Sequence, residues 1–187
     1  MKRFLAMFVA ITILLPLFPM NVKAEEPSSG GTEAYETLRF DLGGAGVAEG
    51  YIGVSAEDAY DVETGYGFAN TEAVEDVLAG GEGALADAVR FKSDVANHIF
   101  KVDLPSGVYK ITVTTGDVES TTITAEGRPQ LFFLTGSNAV DSFTIPVTDG
   151  QLNIHAGSGV GTEFSISALE IEQTSTGTTT KPTIWVS

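Results

Sequence analysis

The chain has 187 residues, no cysteine and a formal charge of −15, from 25 acidic against 10 basic side chains. So acidic a surface excludes nucleic acid and anionic lipid as partners, because both need Lys and Arg to neutralise phosphate. Without thiols there are no disulfides and no thiolate metal site, so folding must rest on core burial, helped at most by a metal held through oxygen.

Residues 1–24 read as a secretion signal: Met1-Lys2-Arg3 is a short positive region, Phe4 to Pro19 is almost wholly apolar, and Val22-Lys23-Ala24 has the small-x-small form of a cleavage site. Pro16 and Pro19 interrupt the end of the apolar run, which is short for a membrane span. The expected product is a secreted, extracellular chain with no membrane attachment after cleavage. It would carry a net charge of −18, since three basic and no acidic residues precede Glu25. Residues 25–36 are polar and Gly/Ser-rich, as a flexible leader is.

From Thr37 the pattern becomes short alternating runs, the mark of half-buried strands. Leu38, Phe40 and Leu42 alternate with Arg39 and Asp41. His98, Phe100 and Val102 alternate with Ile99, Lys101 and Asp103, and Tyr109, Ile111 and Val113 with Lys110, Thr112 and Thr114. Further strands are expected at 121–125, 130–134, 142–147, 151–155 and 164–172. Asp103-Leu104-Pro105-Ser106-Gly107 and Thr148-Asp149-Gly150 supply hairpin turns. Thr71 to Ala79 is the exception, with Val74, Val77 and Leu78 at helical spacing before Gly80-Gly81; it predicts a short helix or ordered loop. The sum is an all-β, antiparallel, jelly-roll-like β-sandwich of roughly eight to ten strands over residues 37–172. Residues 173–182 have a linker's composition, and residues 183–187 begin what reads as a new strand.

The chemistry-bearing residues are sparse. His98 and His155 form no Ser-His-Asp arrangement in local sequence and read as structural or surface histidines. No His-x-x-x-His spacing occurs, so zinc is not expected. A structural calcium needs only carboxylates and carbonyls, and Asp41, Asp141, Asp149 and Glu170 near strand ends are its candidate ligands. Sugar sites combine an aromatic platform with planar polar groups. Tyr51, Tyr60 and Tyr66 in a Gly-rich stretch, with Arg90, Asn97 and Asp117, are the candidate ligand-binding set. Phe68 reads as core.

An ordered set of segments resembles a known family. Arg39-Phe40-Asp41-Leu42-Gly43, Val47-Ala48-Glu49-Gly50-Tyr51, Ala59-Tyr60 and Gly65-Tyr66-Gly67-Phe68 come first. Phe100-Lys101-Val102-Asp103-Leu104-Pro105, Gly107-Val108-Tyr109, Val113-Thr114-Thr115-Gly116-Asp117 and Ile166-Ser167-Ala168-Leu169-Glu170-Ile171-Glu172 follow. They look like the galactose-binding-like domain that precedes the catalytic domain in bacterial rhamnogalacturonan acetylesterases and related polysaccharide-active enzymes. Pro182-Thr183-Ile184-Trp185-Val186-Ser187 resembles the first strand of an SGNH-type esterase domain. The Gly-Asp-Ser block that follows in that family does not appear here, so the resemblance implies an accessory domain cut before its catalytic partner. It also implies a monomer that does no chemistry itself and binds plant cell-wall polysaccharide, pectin or rhamnogalacturonan, beside a C-terminal esterase domain. The alternatives are a structural domain that packs on the esterase with no sugar site, and a free-standing hydrolase built on His98 or His155.

Overall fold

The computed structural model describes residues 37–92, 94–118, 120–158 and 164–176. The signal, the leader and the five-residue tail strand lie outside them. Twelve strands are present among the described residues, more than the eight to ten expected: β1 (Thr37–Leu42), β2 (Ile52–Val54), β3 (Tyr66–Phe68), β4 (Val74–Leu78), β5 (Asp87–Phe91), β6 (Ile99–Asp103), β7 (Gly107–Thr115), β8 (Ser120–Ala125), β9 (Arg128–Thr135), β10 (Val140–Val147), β11 (Gln151–Ser158) and β12 (Phe164–Thr176). They form two sheets. The seven-stranded sheet runs β10-β7-β12-β1-β2, with β5 on β12 and β4 on β5; the five-stranded sheet runs β3-β6-β11-β8-β9.

Alternation in sequence becomes alternation of face. In β7, Tyr109, Ile111 and Val113 are buried while Lys110, Thr112 and Thr114 are not. In β6, Phe100 and Val102 are buried between half-exposed Ile99, Lys101 and Asp103. The inner faces meet in one core whose centre is aromatic. Phe40 meets Phe100 edge-on at 5.4 Å between ring centres, Phe68 lies 5.2 Å from Phe100, and Phe91 stacks on Phe164 at 6.3 Å. Phe40, Phe68, Phe91 and Phe100 are each 1% exposed or less, and burying one such ring is worth about 1.5–3 kcal/mol.

Three expectations need correction. Residues 71–79 are not a helix: one 3-10 turn (Thr71–Ala73) leads into β4, which pairs antiparallel with β5 from Val74↔Phe91 to Leu78↔Asp87. So short a segment gains little from helical propagation, whereas β5 offers a ladder of backbone partners. Second, the sandwich is not wholly antiparallel, because β1 and β2 pair in parallel. Third, β12 continues to Thr176, so the first four residues of the expected linker are strand; residues 177–182 lie outside the described residues.

Candidate glycan-facing surface

The outer side of the five-stranded sheet carries a row of polar side chains. Phe100, Val102, Leu152 and Ile154 point into the core, so Lys101, Asp103, Gln151, Asn153 and His155 project outward, all of them half-buried. The register sets Gln151 opposite Asp103 and Asn153 opposite Lys101. The loop before β3 then lays Tyr60 over this row. Ala59 bridges to Phe68, and the Tyr60 amide donates to the Phe68 carbonyl at 2.9 Å. Gly67 makes that approach possible: a Cβ there would lie 2.6 Å from the Ala59 carbonyl carbon and the Tyr60 nitrogen, and its φ is +139°.

The Tyr60 hydroxyl donates to both carboxylate oxygens of Asp103, at 3.0 and 2.9 Å, and the Gln151 amide donates to Asp103 Oδ1 at 2.8 Å. Lys101 Nζ stands 5.2 Å from the Tyr60 ring centre, a cation–π distance. The bond to Asp103 is the main cause that raises the Tyr60 phenol above its ordinary pKa, with desolvation second. The phenol therefore stays protonated near neutrality, and the ring is tethered at its tip.

Of the other expected ligand residues, Tyr51, Tyr66 and Arg90 are not brought to this surface. Tyr51 donates to Glu170 Oε1 at 2.8 Å, and Arg39 Nε lies 3.8 Å from Glu170 Oε2. Arg39 and Glu170 face outward from β1 and β12, so Tyr51 lies on the outside of the opposite sheet; burial, then the Glu170 bond, raises its pKa. Tyr66 turns inward, 5.3 Å from the Phe40 ring centre. Arg90 Nε donates to Glu75 Oε1 at 2.6 Å on β4. Asn97 is exposed in the loop before β6 with φ +66°. Asp117 is exposed beyond β7 and accepts from the Ser137 hydroxyl. Conversely, sequence reasoning assigned Asp103 to turn chemistry and passed over Gln151 and Asn153. Their outward parity on β6 and β11 was the available signal.

The four candidate calcium ligands are dispersed. Asp141 accepts from the Ser142 amide, Asp149 accepts from the Gln151 amide, and Glu170 faces Tyr51. Among the described residues no group of three or more His, Cys, Asp or Glu side chains is placed to hold a metal. Asp41 serves the backbone instead. Its Oδ2 accepts from the Ala48 amide at 2.7 Å, while Asp87 Oδ2 accepts from Ala45 and Asp76 Oδ1 from Ala56. Asp41 and Asp87 thus pin the loop that joins β1 to β2, and Asp76 pins the segment just after β2. Burial, reinforced by nearby Asp87 and opposed by the backbone bond, raises the pKa of Asp41 and of Asp76. An open pocket of about 300 Å³ beside them is lined by Gly44, Ala45, Asp76, Val77, Leu78 and Asp87.

The histidines are neighbours. His155 lies on β11, and His98 sits just before β6 rather than within it; their ring centres are 4.3 Å apart.

The comparisons with known proteins agree with this architecture. The Bacillus subtilis (strain 168) protein described as "Uncharacterized esterase YxiM" is 41% identical over 190 residues, covering all of this chain and 48% of that protein. The chain thus spans about half the length of this relative. The crystal structure of B. subtilis YxiM superposes with a TM-score of 0.72 at 45% identity, over 75% of this chain and 40% of that one. A Bacteroides uniformis β-glucuronidase shares the fold at a TM-score of 0.56 and 13% identity, over 74% of this chain and 18% of that one. Residues 38–172 match the family described as "Beta-agarase/YXIM esterase-like, galactose-binding domain-like", and the chain belongs to that family.

Proposed function

We propose that this domain is a secreted, non-catalytic carbohydrate-binding module that serves an esterase on the same polypeptide. The observation that carries the reading is the outer face of the five-stranded sheet. There one tethered tyrosine ring lies beside Lys101, Asp103, Gln151 and Asn153. A pyranose offers an apolar C–H face and a rim of hydroxyls, and this surface offers a ring for the first and planar polar groups for the second. Holding an esterase at its polymer raises the local substrate concentration with no added chemistry. Plant cell-wall polysaccharide, with acetylated pectin and rhamnogalacturonan foremost, is the target this reading takes. The net charge favours neutral stretches over dense polyuronate, because Lys101 is the cation on the row described.

The test is affinity electrophoresis of the full chain against pectic, galactan, xylan and mannan polymers. Retardation by at least one polymer is expected, and Tyr60→Ala should abolish it while Tyr51→Ala leaves it unchanged. The reading is overturned if no polymer retards the chain, or if Tyr60→Ala is retarded as strongly as the parent. Failure to bind any polymer would favour a domain that only packs on and stabilises its esterase.

A further inference from the structure

The two histidines are the only ones in the chain, and the fold puts their rings 4.3 Å apart at an interplanar angle of 44°. Each comes from a different strand neighbourhood: His155 pairs with Ile99, next to His98. The His98 ring is set by edge-on packing against Phe91 at 6.1 Å and Phe164 at 5.6 Å. Its Nδ1 lies 3.2 Å from the Lys92 carbonyl oxygen. A carbonyl can only accept, so Nδ1 carries the proton and Nε2 keeps its lone pair. Backbone carbonyls orient metal-binding imidazoles in this way.

His155 stands beside it, half-buried on β11. Among the described residues neither ring has a carboxylate partner. Gly157 follows two positions along β11 on the same face, and a Cβ there would reach 3.5 Å from His155 Cε1. The result is a pair of half-buried imidazoles in contact, the His98 ring orientated by the Lys92 carbonyl.

The spacing says which ion suits them. An ion about 2.1 Å from one nitrogen of each ring stands about 3.2 Å from each ring centre. Two imidazoles at a right angle on that ion then have centres about 4.5 Å apart, and at the tetrahedral angle about 5.2 Å. The observed 4.3 Å matches the right angle. Right-angled nitrogen pairs belong to tetragonal copper(II) and nickel(II), and the affinity order of divalent ions places copper highest. We infer that His98 and His155 form a two-imidazole site for a tetragonal divalent transition ion, copper(II) before nickel(II), with water in the remaining positions. His155 lies two positions from Asn153 on the same strand, but the inference does not rest on the proposed sugar surface and survives if that surface binds no glycan.

The experiment titrates the full chain, purified without a histidine tag, with copper(II), nickel(II) and zinc(II). Copper binding is followed by the nitrogen hyperfine pattern in its electron paramagnetic resonance spectrum. One copper per chain with two imidazole nitrogens is expected, with affinity falling from copper to nickel to zinc. His98→Gln and His155→Gln should each weaken it at least tenfold. The double variant has no imidazole, so it reports binding by the 25 carboxylates, the chain terminus and the backbone. A second measurement needs no variant: copper should slow carbethoxylation of the parent's histidines several-fold. Equal copper affinity in parent and double variant, a preference for zinc, or unslowed carbethoxylation would each overturn the inference.

Discussion

Gly67→Ala tests how the sandwich holds Tyr60 over the five-stranded sheet. The new Cβ would stand 2.6 Å from the Ala59 carbonyl carbon and the Tyr60 nitrogen, both backbone atoms, at a φ of +139°. Overpacking of this kind costs about 1–3 kcal/mol, and a non-glycine residue at such a φ adds roughly 1 kcal/mol or more. The expected loss is therefore about 3 kcal/mol, or roughly 10 °C in Tm for a domain of this size. Gly150→Ala is the control, since its φ is +90° and nothing lies within 4 Å of the added carbon; it should lose only the strain, about 1 kcal/mol. Urea unfolding of both variants separates the two costs. Tyr60 reports the displacement independently, because a loop pushed off Gly67 loses the bond to Asp103. If Gly67→Ala costs no more than Gly150→Ala and Tyr60 still titrates late, the loop is not seated on Gly67 as described.

Further outcomes follow from the same structure. Phe100→Ala empties the site shared by Phe40 and Phe68 and should cost about 3–5 kcal/mol in the same urea assay. Tyr51, Tyr60 and Tyr109 all have raised pKa values, from burial at Tyr51 and Tyr109 and from Asp103 at Tyr60. A raised folded pKa gives stability that is present below the unfolded value of about 10 and is lost as pH climbs through the folded one. The urea midpoint should therefore fall above pH 10, and absorbance titration at the phenolate band should show tyrosines ionising late; uniform ionisation near 10 refutes this. Asp41 works in the same direction at acid pH, where burial favours the protonated form. That contribution is present below the unfolded pKa of about 3.9 and disappears as pH rises through the folded value. Asp41→Asn should thus compare more favourably with the parent at pH 7 than at pH 4, and a pH-independent difference would contradict the assignment.

How much of this could be read beforehand depended on the range of the contacts. Alternation in 98–102 and 109–113 is local and exposes strand and face together, which is why β6 and β7 lie where the pattern placed them within two residues. The segment 74–78 misled because Val74, Val77 and Leu78 fit a helix's spacing. The deciding partner, β5, is visible only once the sheet exists, and it leaves Leu78 largely exposed. The candidate surface was harder still. Tyr60 meets Asp103 across 43 residues, and Gln151 meets Asp103 across 48. Tyr51 and Tyr60 looked like one aromatic cluster, yet the chain between them enters β2 in one sheet and the chain after them enters β3 in the other. Strands of three residues carry too few alternations to announce which sheet they will join.

The path of β12 has a consequence for how the domain comes into being. This strand, the last in the chain order described, is the one to which β1, β5 and β7 all pair. Take it away and the seven-stranded sheet falls into three ribbons, β1 with β2, β4 with β5, and β7 with β10, none of which is stable alone in water. A nascent chain emerging in order cannot assemble that sheet until residues 164–172 are free. The five-stranded sheet is complete by Ser158, so the seven-stranded sheet is the last part of the described domain that can close.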